Sequence, residues 1–134
     1  MDVQADVDDT VAFAVLIRAL VATAVTKAVA GDPGPRVNSE TLRAAYWRAA
    51  RDGWSGTGVD ACTGRILPAR TQFAHLIGYV APALDAAGDT PIAIAFGDRL
   101  ASRGTGAEMQ RASAARGGVI NDVVDDLLAL TVRR

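Results

Sequence analysis

LRAAYWRAARDGWSGTGVDACTGRILP, residues 42–68, holds both kinds of regular structure that the sequence predicts, a helix running into a glycine-punctuated hairpin. Asn38 or Ser39 suits an N-cap, and Leu42, Ala45, Tyr46 and Ala49 recur at helical spacing up to about Arg51, which predicts them as that helix's core face. Gly53, Gly56 and Gly58 then end it. Gly58–Ala61 and Arg65–Leu67 read as two short strands turning through Cys62, Thr63 and Gly64. Two strands alone are marginal in water, so the fold has to rest on helices packed around them.

Moving towards the N-terminus, GDPGPR at residues 31–36 is a break, because Gly31 suits a helix C-cap and Pro33 and Pro35 cannot continue a helix. Before it lies a helix from about Asp9 to Ala30, with Asp8, Asp9 and Thr10 as cap candidates and first-turn carboxylates. Its VAFAVLIRALVATAV run is apolar on almost every face, whereas a surface helix shows one stripe about 100° wide. A chain of this size rarely wraps six helical turns. Part of that surface is therefore expected to be covered by something outside these residues, through truncation of a longer chain or through a partner. Asp2, Gln4 and Asp6 alternate as residues on one face of a strand would.

Towards the C-terminus, Ala69–Ala87 is predicted helical, with Phe73, Leu76, Ile77, Val80 and Leu84 as its buried stripe and Pro82 kinking or splitting it. Thr90-Pro91 reads as an N-cap and N1 pair for a helix to Arg103. Gly104 ends that helix, and Thr105-Gly106-Ala107-Glu108 is a capping-box pattern that starts the next one, to Arg116. A last helix runs from Val119 to about Val132, with Ile120, Val123, Val124, Leu127 and Leu130 on one face. The expectation is a mainly α fold of about six helices with one short β-hairpin. It forms a single domain, 1–134, in three parts: a strand end and buried helix (1–31), the Arg/Trp helix with the hairpin (38–68), and a helical subdomain (69–134).

Charged residues make up 22 % of the 134 and the net charge is −1, so no single-sign field marks a nucleic-acid binder or an anionic-membrane binder. Arg18, Thr23, Thr26 and Lys27 oppose reading Val11–Ala30 as a membrane span, and Asp2, Asp6, Asp8 and Asp9 oppose a basic signal-peptide start. Cys62 is the only cysteine, which excludes an internal disulfide and suits a reducing cytoplasm. His75 is the only histidine and lies in the apolar stripe of its helix beside Phe73 and Leu76, which reads as a core or boundary residue rather than a catalytic one. No metal site is expected, since Asp122, Asp125 and Asp126 at i, i+3 and i+4 read as a solvated helix face.

Two features are candidates for anion binding. Arg48 and Arg51 are neighbours on one helix side beside Trp47, and two guanidiniums so placed repel unless a carboxylate or phosphate sits between them; Asp52, Asp60 or Glu40 is the alternative partner. Arg103-Gly104-Thr105-Gly106 places backbone N–H groups at a helix start, a possible anion nest that a C-cap plus capping box explains equally well. No Gly-Lys-Ser/Thr follows, so it is not a P-loop.

DVQADVDDTVAFAVLIRALVA from Asp2, LRAAYWRAARDG from Leu42, DACTGRILPAR from Asp60 and RGTGAEMQR from Arg103 together resemble, in order, the C-terminal third of the bacterial carboxylate-amine ligases of the glutamate–cysteine ligase type 2 family. The resemblance implies part of a glutamine-synthetase-like α+β ligase fold. It further implies ATP and Mg²⁺ as cofactors of the intact enzyme, with no cofactor held by this chain alone. In that chemistry a glutamate carboxylate is phosphorylated before an amine attacks. Asp2, Gln4, Arg48 and Arg51 would then contribute to substrate binding, and Gly104, Thr105 and Gly106 would lie near the nucleotide. Most ATP- and metal-binding acids would belong to a region preceding Met1. The implied partner is that N-terminal ligase region or a chain supplying it; a second copy of this chain is the other candidate. Relatives commonly carry an aromatic where this chain has Asp52, a residue able to neutralise Arg48 or Arg51.

Overall fold

The computed structural model of the chain describes residues 6–117 and 120–132. Asp2, Gln4 and the strand end expected around them lie outside the described residues. Among those described are six helices, α1 (Val7–Val29), α2 (Ser39–Asp52), α3 (Ala69–Ala87), α4 (Thr90–Arg103), α5 (Gly106–Gly117) and α6 (Ile120–Val132). Two three-residue strands, β1 (Thr57–Val59) and β2 (Ile66–Pro68), pair antiparallel with Gly58 opposite Leu67. The fold is thus mainly α with one short hairpin, as expected.

Helix boundaries follow local chemistry. The Asp6 side chain accepts from the Asp8 amide at 2.9 Å, which starts α1 two residues before the expected Asp9. Asn38 caps α2 through the Glu40 amide at 2.8 Å. Asp89, not Thr90, is the N-cap of α4, and the Thr90 hydroxyl instead donates to the Asp85 carboxylate. Pro82 neither splits α3 nor ends it; the residue four positions before it, whose carbonyl the proline ring would crowd, is Gly78.

The core lies where α1, α3 and α4 meet. Ala12, Val15, Leu16 and Ala19 of α1 pack with Val80 and Leu84 of α3 and with Ala93, Phe96 and Leu100 of α4. A relay of edge-to-face rings crosses it, Phe13 to Phe96 at 5.4 Å, Phe96 to Phe73 at 5.9 Å and Phe73 to Trp54 at 5.5 Å. The relay seats Trp54, just after α2, against the body of the domain. Contacts between the start of α1 and the end of α4, and between the middle of α1 and the start of α4, make these two helices antiparallel.

Two apolar stripes differ from the expectation. No residue of α2 is buried; Leu42 and Ala49 are exposed and Tyr46 is 83 % exposed, because α2 packs chiefly on β1, which leaves most of its apolar side open. On α6, Val123 and Leu127 turn partly inward, towards the face it shares with α5, while Ile120 and Val124 are exposed; the Leu130 side chain lies outside the described residues. α1 is buried on one side only. Val7, Val11, Ile17, Val21, Val25 and Val29 all stand open to solvent. This 23-residue helix has the length and composition of a membrane span, as core helices of proteins without a span also can, and Arg18 at its middle is paired with Asp89.

Candidate functional site

Where α4 ends, four charged side chains gather. Arg99 Nε donates to Asp9 Oδ1 at 2.9 Å, and Arg103 Nη2 lies 2.7 Å from Asp9 Oδ2 and 2.8 Å from Asp6 Oδ2. The basic residues occupy the last turns of α4 and the acids the start of α1, so each also complements its own helix dipole. Burial raises the Asp6 pKa, but the Asp8 amide and the Arg103 guanidinium outweigh it and hold the carboxyl below the ordinary value. Asp9 is nearly buried.

The chain then turns through Gly104, whose φ of 76° a side-chain-bearing residue rarely adopts, and on which a Cβ would stand 2.6 Å from Glu108 Oε2. The capping box is formed as the sequence predicts. Glu108 Oε2 accepts from the Thr105 amide at 2.8 Å, and the Thr105 hydroxyl accepts from the Glu108 amide at 3.3 Å. Ser55 Oγ donates to Glu108 Oε1 at 2.6 Å and ties this turn to the segment after α2. The Ser55 hydroxyl and the Thr105 amide hold Glu108 below the usual carboxylate range.

Between this turn, the Asp6/Asp9 cluster and the α5–α6 pair lies a cavity of about 620 Å³. Gly104 and Gly106 line it, as do Trp54, Arg70, Leu100 and Met109. A volume of this size lies within the range of small-molecule sites. Of the polar atoms there, Trp54 Nε1 and Arg103 Nε are buried without a partner.

Arg48 and Arg51 stand elsewhere, on α2. Asp52 engages both: its Oδ2 lies 3.3 Å from Arg48 Nε, and Arg51 donates from Nε at 2.5 Å and Nη2 at 3.1 Å. Arg48 also donates to the Thr57 hydroxyl at 3.1 Å, and Arg51 lies over the Trp47 ring at 4.5 Å. The Arg51 hydrogen bonds lower the Asp52 pKa, so the pair carries one internal counter-ion at neutral pH. Asp60 instead closes the hairpin turn by accepting from the Cys62 and Thr63 amides.

His75 is exposed rather than in the core or at its edge, since its position on α3 falls outside the stripe of Phe73, Leu76 and Ile77. Cys62 is exposed on the hairpin turn. Asp126 pairs with Arg116 at 3.0 Å, and among the described residues no three His, Cys, Asp or Glu side chains converge as a metal site would. The Arg99/Arg103 cluster with Asp6 and Asp9 escaped the sequence reading. Its signals were two arginines at i, i+4 ending an amphipathic helix and a carboxylate at the mouth of an otherwise apolar one.

The profile of glutamate–cysteine ligase family 2 (GCS2) matches residues 1–128. A candidate glutamate–cysteine ligase 2-2 of Frankia alni is 51 % identical over 92 % of this chain and 32 % of its own length. A candidate glutamate–cysteine ligase 2-2 of Mycobacterium sp. (strain KMS) is 40 % identical over 98 % of this chain and 36 % of its own. A candidate glutamate–cysteine ligase 2 of Salinispora arenicola is 42 % identical over 97 % and 35 %. The chain thus spans about a third of the length of these relatives. No solved structure matches it. With its profile matched over nearly every residue and its relatives aligned almost end to end along it, the chain belongs to glutamate–cysteine ligase family 2.

Proposed function

We propose that this chain is the C-terminal portion of an ATP-dependent carboxylate-amine ligase with glutamate–cysteine-ligase-like chemistry, acting in the cytoplasm and inactive without the region that supplies the ATP and Mg²⁺ sites. The observation that carries the reading is the open side of α1. Val7, Val11, Ile17, Val21, Val25 and Val29 form a broad apolar surface on a helix that the fold holds from one side, in a chain spanning about a third of its relatives. An apolar groove of about 670 Å³ between α1 and α3, walled by Ala22, Thr26, Tyr79 and Ala83, continues that surface. Contiguous apolar area of this kind marks an interface. The partner that fits is the rest of the ligase, and the three parts of the chain then form one unit within it.

ATP would supply the phosphoryl group that activates glutamate. On this reading the carboxylates that hold Mg²⁺ belong to the completing region. For this chain we assign substrate positioning to Arg48, Arg51, Asp2 and Gln4, and a place near the nucleotide to the Gly104–Gly106 turn. Asp52 restrains the arginine pair, which requires a substrate carboxylate to compete with an existing ion pair.

The test is ATP-dependent amide formation from glutamate and an amine, with this chain alone and joined to the completing region of the Frankia alni relative. Product only from the joined protein is expected; turnover by the lone chain overturns the assignment of the missing acids. The same open α1 face favours a second reading, a non-catalytic helical module that self-associates through it. Light scattering separates the two: a stable homo-oligomer supports the module, and a monomer that binds an apolar dye supports the ligase portion.

A further inference from the structure

The cavity below the Gly104 turn has a donor and acceptor balance that the ligase reading does not use. Its carboxylates are already engaged. Asp6 and Asp9 face Arg103 and Arg99, Glu108 accepts from Thr105 and Ser55, and Asp126 faces Arg116. Its donors are not. Trp54 Nε1 and Arg103 Nε are buried with no partner, and Arg70, an exposed residue of the cavity wall, has no ion pair among the described residues. Buried donors in folded proteins are nearly always paired, so two left without partners on residues that line one cavity set it apart from the rest of the fold. The rest of the wall is apolar, from Leu100, Met109, Val123 and Leu127 together with the Trp54 indole.

We propose that this cavity binds a small molecule carrying an oxyanion on an apolar or aromatic body. The oxyanion meets Arg70 at the rim, and the body lies among Leu100, Met109 and Leu127, beside Trp54. Net charge does not drive the binding, because the four acids of the wall outnumber its three arginines; the local, unpaired Arg70 does. A neutral apolar molecule leaves Arg70 idle, and a bare inorganic anion leaves the apolar wall wet, so neither half suffices. The cavity shares the Gly104–Gly106 turn with the ligase reading, but its wall and Arg70 belong to this chain, so its test needs neither ATP nor the completing region, and the outcome is distinct from that of the ligase assay.

The test follows the Trp54 indole N–H by NMR in ¹⁵N-labelled protein carrying Trp47→Phe, a change at an exposed ring outside the cavity. Phenyl phosphate and phenylacetate are titrated, with inorganic phosphate and benzyl alcohol as the separated halves. The expected result is a saturable shift of the Trp54 signal by one of the aromatic oxyanions, at least about tenfold tighter than by either half. Arg70→Ala should weaken it about fivefold with the circular dichroism spectrum and melting temperature unchanged, as for a lost charge-assisted contact at a wetted rim. A stronger response to phenyl phosphate assigns the site to phosphate monoesters, and a stronger one to phenylacetate assigns it to carboxylates. Equal binding of benzyl alcohol, no saturable shift from either oxyanion in the folded protein, or indifference to Arg70→Ala each overturn the proposal.

Discussion

Replacing Asp9 by Asn removes one charge and almost no volume from the joint between α1 and α4. Asp9 is 8 % exposed and holds Arg99 at 2.9 Å and Arg103 at 2.7 Å. Deleting one partner of a fully buried ion pair costs about 3–5 kcal/mol, because the other charge stays buried and uncompensated. Here the two arginine side chains are 27 % and 23 % exposed, and Arg103 keeps Asp6 at 2.8 Å, so water and Asp6 recover part of the loss. The expected cost is about 2–3 kcal/mol, a fall in melting temperature of about 6–12 °C. Urea unfolding followed by circular dichroism measures it, with Asp8→Asn as the exposed control that should stay within about 0.5 kcal/mol. In the double variant Asp9→Leu/Arg99→Met most of the loss should return, since apolar groups of similar size replace a buried pair at little cost. If Asp9→Asn costs no more than the Asp8→Asn control, the ion cluster is not what fastens the start of α1 to the end of α4.

Glu108→Ala removes the capping box and the Ser55 tie, at about 1–2 kcal/mol near neutral pH. Because the folded pKa of Glu108 lies below the ordinary value of 4.5, its contribution is complete above that value and disappears as pH falls through the lower folded pKa. Urea midpoints of the two proteins should therefore converge on acidification; a gap that widened would contradict this. Gly56→Ala places a Cβ 2.5 Å from the Asp52 Cβ and 2.6 Å from its carbonyl oxygen, and should destabilise by about 1–3 kcal/mol. Gly78→Ala meets open space inside α3 and should stabilise by about 0.5–1 kcal/mol, both read from thermal melts. Asp52→Ala frees Arg48 and Arg51, so titration calorimetry with sulfate should show tighter binding than in the parent chain; unchanged affinity would remove α2 from the list of anion sites.

Elements whose ends are marked by local chemistry were legible from the letters. Thr105 and Glu108 announce the start of α5 because their side chains bond to backbone groups three residues away, and nothing distant can alter that. Gly104 ends α4 for the same kind of reason. Tyr46 and Leu42 show the opposite case, since periodicity states which side of α2 is apolar but not whether anything lies against it. His75 was placed with the stripe from its neighbours Phe73 and Leu76, yet one residue is 100° around a helix, and that rotation puts it in solvent. The Arg48/Arg51 pairing with Asp52 was visible as one of three alternatives, being local. The cavity was not visible, because its wall joins Trp54, Arg70, Arg103 and Met109 from four separate segments that only the tertiary fold brings together. The all-round apolar character of α1 was legible, and the structure turns it into a specific face that stays open.

That open face leads to the most direct measurement, the mass of the native particle that contains this chain in its source cells, taken under non-denaturing conditions and again after denaturation. A chain built to complete a ligase predicts a particle about three times the 13.9 kDa of these residues, as one polypeptide or as a complex with a different chain that supplies the remainder. It also predicts that ATP-dependent amide formation travels with that particle. A free 13.9 kDa chain, or a homo-oligomer of it without ligase activity, would contradict the account and assign the α1 face to self-association.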